Sequence, residues 1–116
     1  MTKYDEYDNR IVEHNGKTWC TDYEGYLLNF DPDEDWYDYV RMKDGIPELT
    51  SEHRELLEFY QNFYKNNGIW PLKPILAREL RKLNKSIEGI CKLFPSKNPL
   101  KTIHIMAGLP RPWGYI

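Results

Sequence analysis

Apolar side chains recur every three to four residues through most of the second half of the chain, and this period predicts a mainly helical protein. The longest such stretch begins at Thr50-Ser51-Glu52 and ends near Asn66, where Asn67-Gly68 stops it. Shorter helices are predicted over about 32–43, 73–83, 86–94 and 98–107. The stripes predict a core that contains Trp36, Leu56, Phe59, Tyr60, Phe63, Leu76, Leu80, Ile90 and Phe94.

The N-terminal part has a different pattern. Two runs rich in β-formers, 10–14 and 17–21, flank Asn15-Gly16, and both residues of this pair tolerate the positive φ of a type I′ turn. We therefore predict a β-hairpin. Residues 1–9 are polar and lack an apolar period, which predicts a flexible leader.

Caps and breakers set the predicted helix boundaries. In Asp31-Pro32 the aspartate is the expected cap of the first helix and the proline its first residue, and Ser86 is the expected cap of the fourth. Gly108 stops the last helix. Two prolines and a glycine within the final eight residues then predict an extended arm over 108–116.

Composition limits the protein to one small domain, predicted over 10–107. The chain has 116 residues, of which 41% are hydrophobic and 29% charged. No apolar run approaches the ~20 residues that a membrane-spanning helix needs, and the first residues do not form a signal peptide. We expect a cytoplasmic monomer without membrane contact.

Charge is distributed unevenly along the chain. Residues 1–60 carry 16 acidic and 6 basic side chains, a balance of −10, whereas residues 61–116 carry 2 acidic and 10 basic ones, a balance of +8. Either the two halves attract each other within the fold, or the basic half meets an acidic protein or a nucleic acid.

The residues that bind metals or carry redox chemistry are few and scattered. Cys20 and Cys91 lie far apart, and the three histidines, at 14, 53 and 104, form no ligand motif. We predict no metal and no cofactor. Cys91 lies on an apolar helical face and is expected to be a buried, inert thiol.

The middle of the chain resembles a helix-turn-helix. A helix over 51–66, a glycine turn and a basic helix with Arg78, Arg81 and Lys82 follow one another. Such pairs are common in helical proteins that bind no DNA, and no base-reading pattern accompanies this one.

Several short motifs occur in an order typical of one family. They are Asn15-Gly16-Lys17, the segment 22–29 with sequence DYEGYLLN, the segment 49–53 with sequence LTSEH, the segment 59–64 with sequence FYQNFY, Leu93-Phe94-Pro95, and the segment 107–112 with sequence AGLPRP. On these residues the chain resembles the DsrC/TusE/DsvC sulfur-relay proteins over nearly all of 10–116. The resemblance implies a small orthogonal helical bundle with an N-terminal β-hairpin and an extended, mobile C-terminal arm, so the expected fold class is mainly α (α+β).

The chain departs from this family at the residues that carry sulfur. Members hold sulfur on a penultimate cysteine, and some have a second arm cysteine about ten residues upstream. The resemblance places Tyr115 and His104 at those two positions. Neither a phenol nor an imidazole forms a persulfide. We therefore expect no catalytic residue in the family's sense.

Three functions remain open. The first is a non-carrier member that binds or regulates a sulfur-relay partner, either a small heteromeric sulfurtransferase or sulfite reductase subunits. The second is a nucleic-acid-binding regulator, and the third is sulfur transfer, as in tRNA thiolation, through another cysteine. The expected partner-binding residues are Arg78, Arg81, Lys82, Lys101, Arg111, Trp113 and Tyr115.

Overall fold

The structure is a computed structural model that describes residues 3–29 and 31–112. Its described part contains the strands β1 (Lys3–Tyr4), β2 (Arg10–His14) and β3 (Lys17–Thr21). The helices are α1 (Glu34–Asp44), α2 (Ser51–Asn67), α3 (Lys73–Lys82), α4 (Ile87–Leu93) and α5 (Pro99–Met106). The predicted mainly helical fold with an N-terminal hairpin is confirmed.

The hairpin forms at the predicted turn. β2 and β3 pair antiparallel with Val12 opposite Trp19 and His14 opposite Lys17. Asn15 and Gly16 have φ of 50° and 78°, as a type I′ turn requires. This register turns Trp19 into the core, where it is 6% exposed.

A third strand extends the hairpin to a three-stranded sheet in the order β1-β2-β3. Lys3 pairs with Ile11 and Tyr4 with Arg10, so two residues of the predicted flexible leader form a strand. The Asp5 carboxylate accepts hydrogen bonds from the backbone N–H of Tyr7 and Asn9 and closes the turn that follows. The short edge strand thus comes from polar residues that carry no apolar period.

Side-chain caps fix the helix starts. The Ser86 hydroxyl accepts from the Gly89 N–H at 3.0 Å, as predicted. For α1 the cap is Asp33, which accepts from the Trp36 N–H at 2.9 Å, and not Asp31. Pro32 therefore precedes α1 instead of opening it.

His53 joins the start of α2 to the end of α4. Its Nδ1 accepts from the Thr50 N–H at 3.0 Å, and its Nε2 donates to the Leu93 carbonyl at 2.6 Å. Because both ring nitrogens have partners, this 3% exposed histidine is satisfied within the fold.

The core centres on α1, α2 and α5. Trp36 is fully buried, packs on Trp19 at 5.6 Å between ring centroids, and donates its indole N–H to the Ile105 carbonyl at 3.0 Å. The core prediction was wrong in part, because Phe59 and Phe63 are half-buried and line a groove between α2 and α3. Leu57, which was not predicted, is 1% exposed instead. The other seven predicted core residues are buried.

α5 leads the chain from this core to the arm. It packs against α1, α2 and α4. Ile103, His104 and Met106 on it are each 0% exposed. The arm therefore leaves the body from a largely buried helix. Among the described residues, no helix combines the length and the apolar character needed to cross a bilayer.

Candidate functional site at the base of the C-terminal arm

Gly108 turns the chain from α5 into the arm. Its φ is +77°, a left-handed conformation that glycine adopts without strain. Its lack of a side chain also matters, because a Cβ built there would lie 2.7 Å from the Pro32 Cγ. The arm therefore begins in close contact with the segment that precedes α1.

The first arm residues are held against the body. Leu109 is 4% exposed and belongs to the core. The Gln61 side-chain amide donates to the Ala107 carbonyl at 3.2 Å and to the Tyr37 hydroxyl at 2.8 Å. The predicted extended arm thus has a packed base.

His104 is the main polar contact to the arm. Its Nε2 donates to the Pro110 carbonyl at 2.7 Å, across the turn at Gly108. Its other ring nitrogen, Nδ1, is buried and has no hydrogen-bond partner among the described residues. Burial lowers the pKa of His104 to about 4, against the smaller opposing effect of the hydrogen bond to Pro110. The side chain is therefore neutral at physiological pH.

Aromatic rings surround this imidazole. Tyr26 meets it edge-on at 5.6 Å between centroids, and Tyr60 and Trp70 contact it at 6.4 and 6.1 Å. The Tyr60 hydroxyl is buried without a hydrogen-bond partner in the described part of the chain, and burial raises its pKa. Burial likewise raises the pKa of Tyr26 to about 12. The imidazole that holds the arm is thus enclosed by aromatic side chains.

A loop after β3 presents a carboxylate to the arm. The Asp22 side chain accepts from the N–H groups of Glu24 and Tyr26 and shapes the loop. Glu24 then lies 3.8 Å from the Lys101 Nζ and 3.9 Å from the Arg111 Nε. The motif over 22–29 therefore has a structural role, since it positions the acid that pairs with α5 and the arm.

Arg111 makes a second contact there. Its guanidinium lies 4.6 Å from the centroid of the exposed Tyr23 ring. Sequence reasoning missed Tyr23, Glu24 and Gln61 as arm contacts, although all three lie in motifs that it singled out, over 22–29 and 59–64.

The predicted partner-binding residues separate into two groups. Lys101 and Arg111 converge on Glu24. Arg78 and Lys82 lie on the exposed side of α3, where they pair with Glu79 at 3.7 and 3.1 Å. Arg81 is exposed on the same helix. Trp113 and Tyr115 lie outside the described residues.

Contacts between the acidic and basic halves support the first interpretation of the charge asymmetry. Lys101 and Arg111 pair with Glu24, and Lys85 pairs with Glu55 at 3.0 Å. Part of the positive charge of the second half is therefore neutralised within the fold.

Neither cysteine belongs to the arm base. Cys20 lies half-buried on β3. Cys91 lies on α4 and is exposed, so the prediction of a buried thiol was wrong. The short helix buries Ile90 and leaves its neighbour in solvent. Within residues 3–29 and 31–112, no three His, Cys, Asp or Glu side chains form a group that would hold a metal ion.

Comparison with known proteins identifies the class to which this arrangement belongs. The family model "DsrC like protein" matches residues 13–116. The chain is 36% identical over 106 residues to the dissimilatory-type sulfite reductase subunit gamma of Nitratidesulfovibrio vulgaris, covering 90% of this chain and 97% of that protein. It is 32% identical over 107 residues to the sulfurtransferase TusE of Pectobacterium atrosepticum, covering 88% and 96%.

Solved structures agree with the sequence matches. The NMR structure of Allochromatium vinosum DsrC superposes with a TM-score of 0.76 at 32% identity, covering 93% of this chain and 99% of that one. The oxidised gamma subunit of the dissimilatory sulfite reductase from Archaeoglobus fulgidus superposes with a TM-score of 0.74 at 27% identity. The chain belongs to the DsrC/TusE family of sulfur-relay proteins.

Proposed function

We propose that this chain is a non-carrier member of its family, which binds a sulfur-relay partner without taking up sulfur on its arm. The observation that supports this proposal is the pair of residues at the family's carrier positions, Tyr115 and His104. A persulfide forms on a thiolate, and the arm segment 108–116 has no thiol. The arm would then serve for docking or regulation.

The surroundings of His104 support this interpretation. A thiol at this position that exchanged sulfur with the arm tip would need access, whereas His104 is 0% exposed and bonded to the Pro110 carbonyl. Its contacts stabilise the arm base. The position is therefore better suited to anchoring the arm than to exchange chemistry.

The expected partners follow from the relatives. One is named as a subunit of sulfite reductase and others as sulfurtransferases. We propose that this chain binds, as a cytoplasmic monomer, to sulfite reductase subunits or to a small heteromeric sulfurtransferase. Trp113 and Tyr115 add aromatic side chains of the kind that anchor interfaces.

The exposed α3 group, Arg78, Arg81 and Lys82, is the proposed electrostatic contact with that partner. One carboxylate, Glu79, pairs within the α3 group and leaves it a net charge of +2. Glu24 pairs with both Lys101 and Arg111 and leaves that pair only +1. Reversing the three α3 charges to glutamate should slow association and flatten its salt dependence, because rim charges act mainly on encounter. A Lys92→Glu variant on α4 is the control. Unchanged association kinetics in the triple variant would place the interface elsewhere.

The carrier question is tested by incubation with a persulfide donor, followed by intact-mass analysis and peptide mapping. The native arm should gain no sulfur. In a Tyr115→Cys variant the new thiolate should attack the outer sulfur of the donor persulfide, so that the donor leaves as a thiolate and the arm gains one sulfur atom. A variant that is readily alkylated but never accepts sulfur from any relay donor would show that the docking surface has diverged.

The same experiment addresses sulfur transfer through another cysteine. Of the two cysteines, Cys91 is the better candidate for this role, because it is exposed and reagents reach a thiol in solvent, whereas Cys20 is half-buried. Alkylation should label Cys91 faster than Cys20. One added sulfur on native Cys91, absent from Cys91→Ser, would establish a carrier role and contradict the non-carrier proposal.

Nucleic-acid binding is the second candidate, and the exposed basic residues of α3 favour it. α2, the turn at Gly68 and α3, which begins at Lys73, follow one another in the order of a helix-turn-helix. Binding should then weaken steeply with added salt. A gel-shift assay at low salt that shows no complex with any DNA would eliminate this function.

A further inference from the structure

A cleft opens between the sheet, α1 and the start of α5, and Glu24 connects its edge to the arm. It has a volume of about 430 Å³, within the range of small-molecule sites. Four cationic side chains line it, Arg10 from β2, Lys43 from α1, Lys97 from the loop before α5 and Lys101 from α5. These residues are distant in sequence, and the fold brings their charges to one cavity.

The four cations share the lining with two carboxylates, which leaves the cleft a net charge of +2. The carboxylate of Glu24 pairs with Lys101 and Arg111, and that of Asp44 accepts from the Thr102 hydroxyl. Arg10, Lys43 and Lys97 form no ion pair within residues 3–29 and 31–112. The cleft therefore has an excess of cations over acids.

Arg10 supplies a specific donor. Its Nε is buried, and it has no hydrogen-bond partner among the described residues. A buried guanidinium N–H without an acceptor is costly, and a small rotation of the Arg10 side chain toward an anion in the cleft would give it one. Lys43 brings a second cation to the cleft from α1. Its Nζ lies beside Gly25, which also lines the cleft, at 3.5 Å from the position that a Cβ on this glycine would occupy.

Besides the charged groups, polar side chains line the cleft, among them Thr21, Ser96 and Asn98. Apolar side chains lie beside them, from Val12, Tyr39, Val40 and Ile105. An inorganic ion would leave these side chains without a partner, whereas a flat apolar group would pack on them. We propose that this cleft binds a small organic anion that carries an aromatic ring, such as an aryl phosphate, sulfonate or carboxylate.

The test uses three probes on the full-length protein: phenyl phosphate, inorganic phosphate and phenol. Binding is followed by NMR, including the Nε–Hε resonance of Arg10. Phenyl phosphate should bind at least tenfold more tightly than inorganic phosphate and should move that resonance, and phenol should not bind measurably. Equal affinity for the two phosphates, or an unmoved Arg10 resonance, would overturn the proposal.

A pair of lysine variants separates the site from general surface charge. Lys43→Gln should weaken phenyl phosphate binding about tenfold, the effect of losing one charge-assisted hydrogen bond. Lys73→Gln, an exposed lysine on α3 outside the cleft, should leave it unchanged. Equal losses in the two variants would show nonspecific attraction and refute the site. This result is independent of any sulfur chemistry on the arm.

Discussion

The buried His104 should make the stability of the protein depend on pH in a range where carboxylates do not titrate. In the folded chain its Nε2–H donates to the Pro110 carbonyl, while Nδ1 has no hydrogen-bond partner among the described residues. Protonation would add a second N–H in a pocket lined by aromatic rings. Folding therefore opposes protonation of this side chain.

The magnitude follows from the two pKa values of the imidazole. The pKa is 6.5 in the absence of the fold and about 4 within it. Between these values the unfolded chain binds a proton that the folded chain does not, so the free energy of unfolding falls as pH falls. From pH 7.5 to 5.0 the loss amounts to about 1.5 pKa units, or about 2 kcal/mol. Below pH 4 this contribution is fully lost.

The carboxylates change the stability of the protein only at lower pH. The pKa values of Asp33, Asp35 and Asp38 are lowered from 3.8, chiefly by hydrogen bonds from Lys17 in the first two cases and from His14 in the third. In the unfolded chain these groups are still almost fully ionised at pH 5.0, so their stabilising effect is lost only at more acidic pH. Between pH 7.5 and 5.0 the free energy of unfolding therefore changes through the histidine and not through these three carboxylates.

The assay is urea unfolding at pH 7.5 and 5.0 for the native chain and for His104→Gln. Glutamine keeps a neutral N–H donor for the Pro110 carbonyl but does not titrate. The native chain should lose about 2 kcal/mol more than the variant over this interval. Both proteins retain His14 and His53, so the difference reports His104 alone. Equal losses, or an NMR titration that gives His104 an ordinary pKa, would refute the reasoning.

Two further predictions concern packing around the arm. Gly108→Ala should lower the free energy of unfolding by about 3 kcal/mol, because it adds backbone strain and overlap with Pro32. The control is Gly68→Ala, which has a similar positive φ but open space around it and should lower this free energy by only about 1 kcal/mol. Equal losses in urea unfolding would contradict the close contact at Gly108. Tyr60→Phe should raise the free energy of unfolding by about 1 kcal/mol, because the variant removes a buried hydroxyl that has no hydrogen-bond partner among the described residues. A lower free energy of unfolding in the variant would show that the hydroxyl is hydrogen-bonded in solution.

Local interactions were largely predictable from the sequence. Asn15-Gly16 specifies the hairpin turn because both residues adopt positive φ at low cost. Ser86 caps α4 and Gly68 ends α2 at the predicted positions. Each of these features depends on residues within one turn of one another, so the sequence contains all the participants.

Predictions of burial were less accurate. Phe59 and Cys91 both follow the apolar period of their helices, yet the first is half-buried and the second exposed. A period identifies a helical face, but how much of that face is covered depends on the helices packed against it. The edge strand at Lys3 and Tyr4 was missed because its hydrogen bonds come from pairing with β2 and not from its own pattern.

The sequence by itself determined the mainly helical class, the hairpin, the cap of α4, the end of α2 and the absence of a thiol from the arm segment. Only the tertiary structure showed that His104 is buried against Pro110, that Glu24 pairs with the arm, and that Arg10 and Lys43 share a cleft. A turn or a cap involves groups close together in the chain, which local conformation brings into contact. Burial and clustered charge arise where distant segments meet, and the packing of the whole fold determines where that happens.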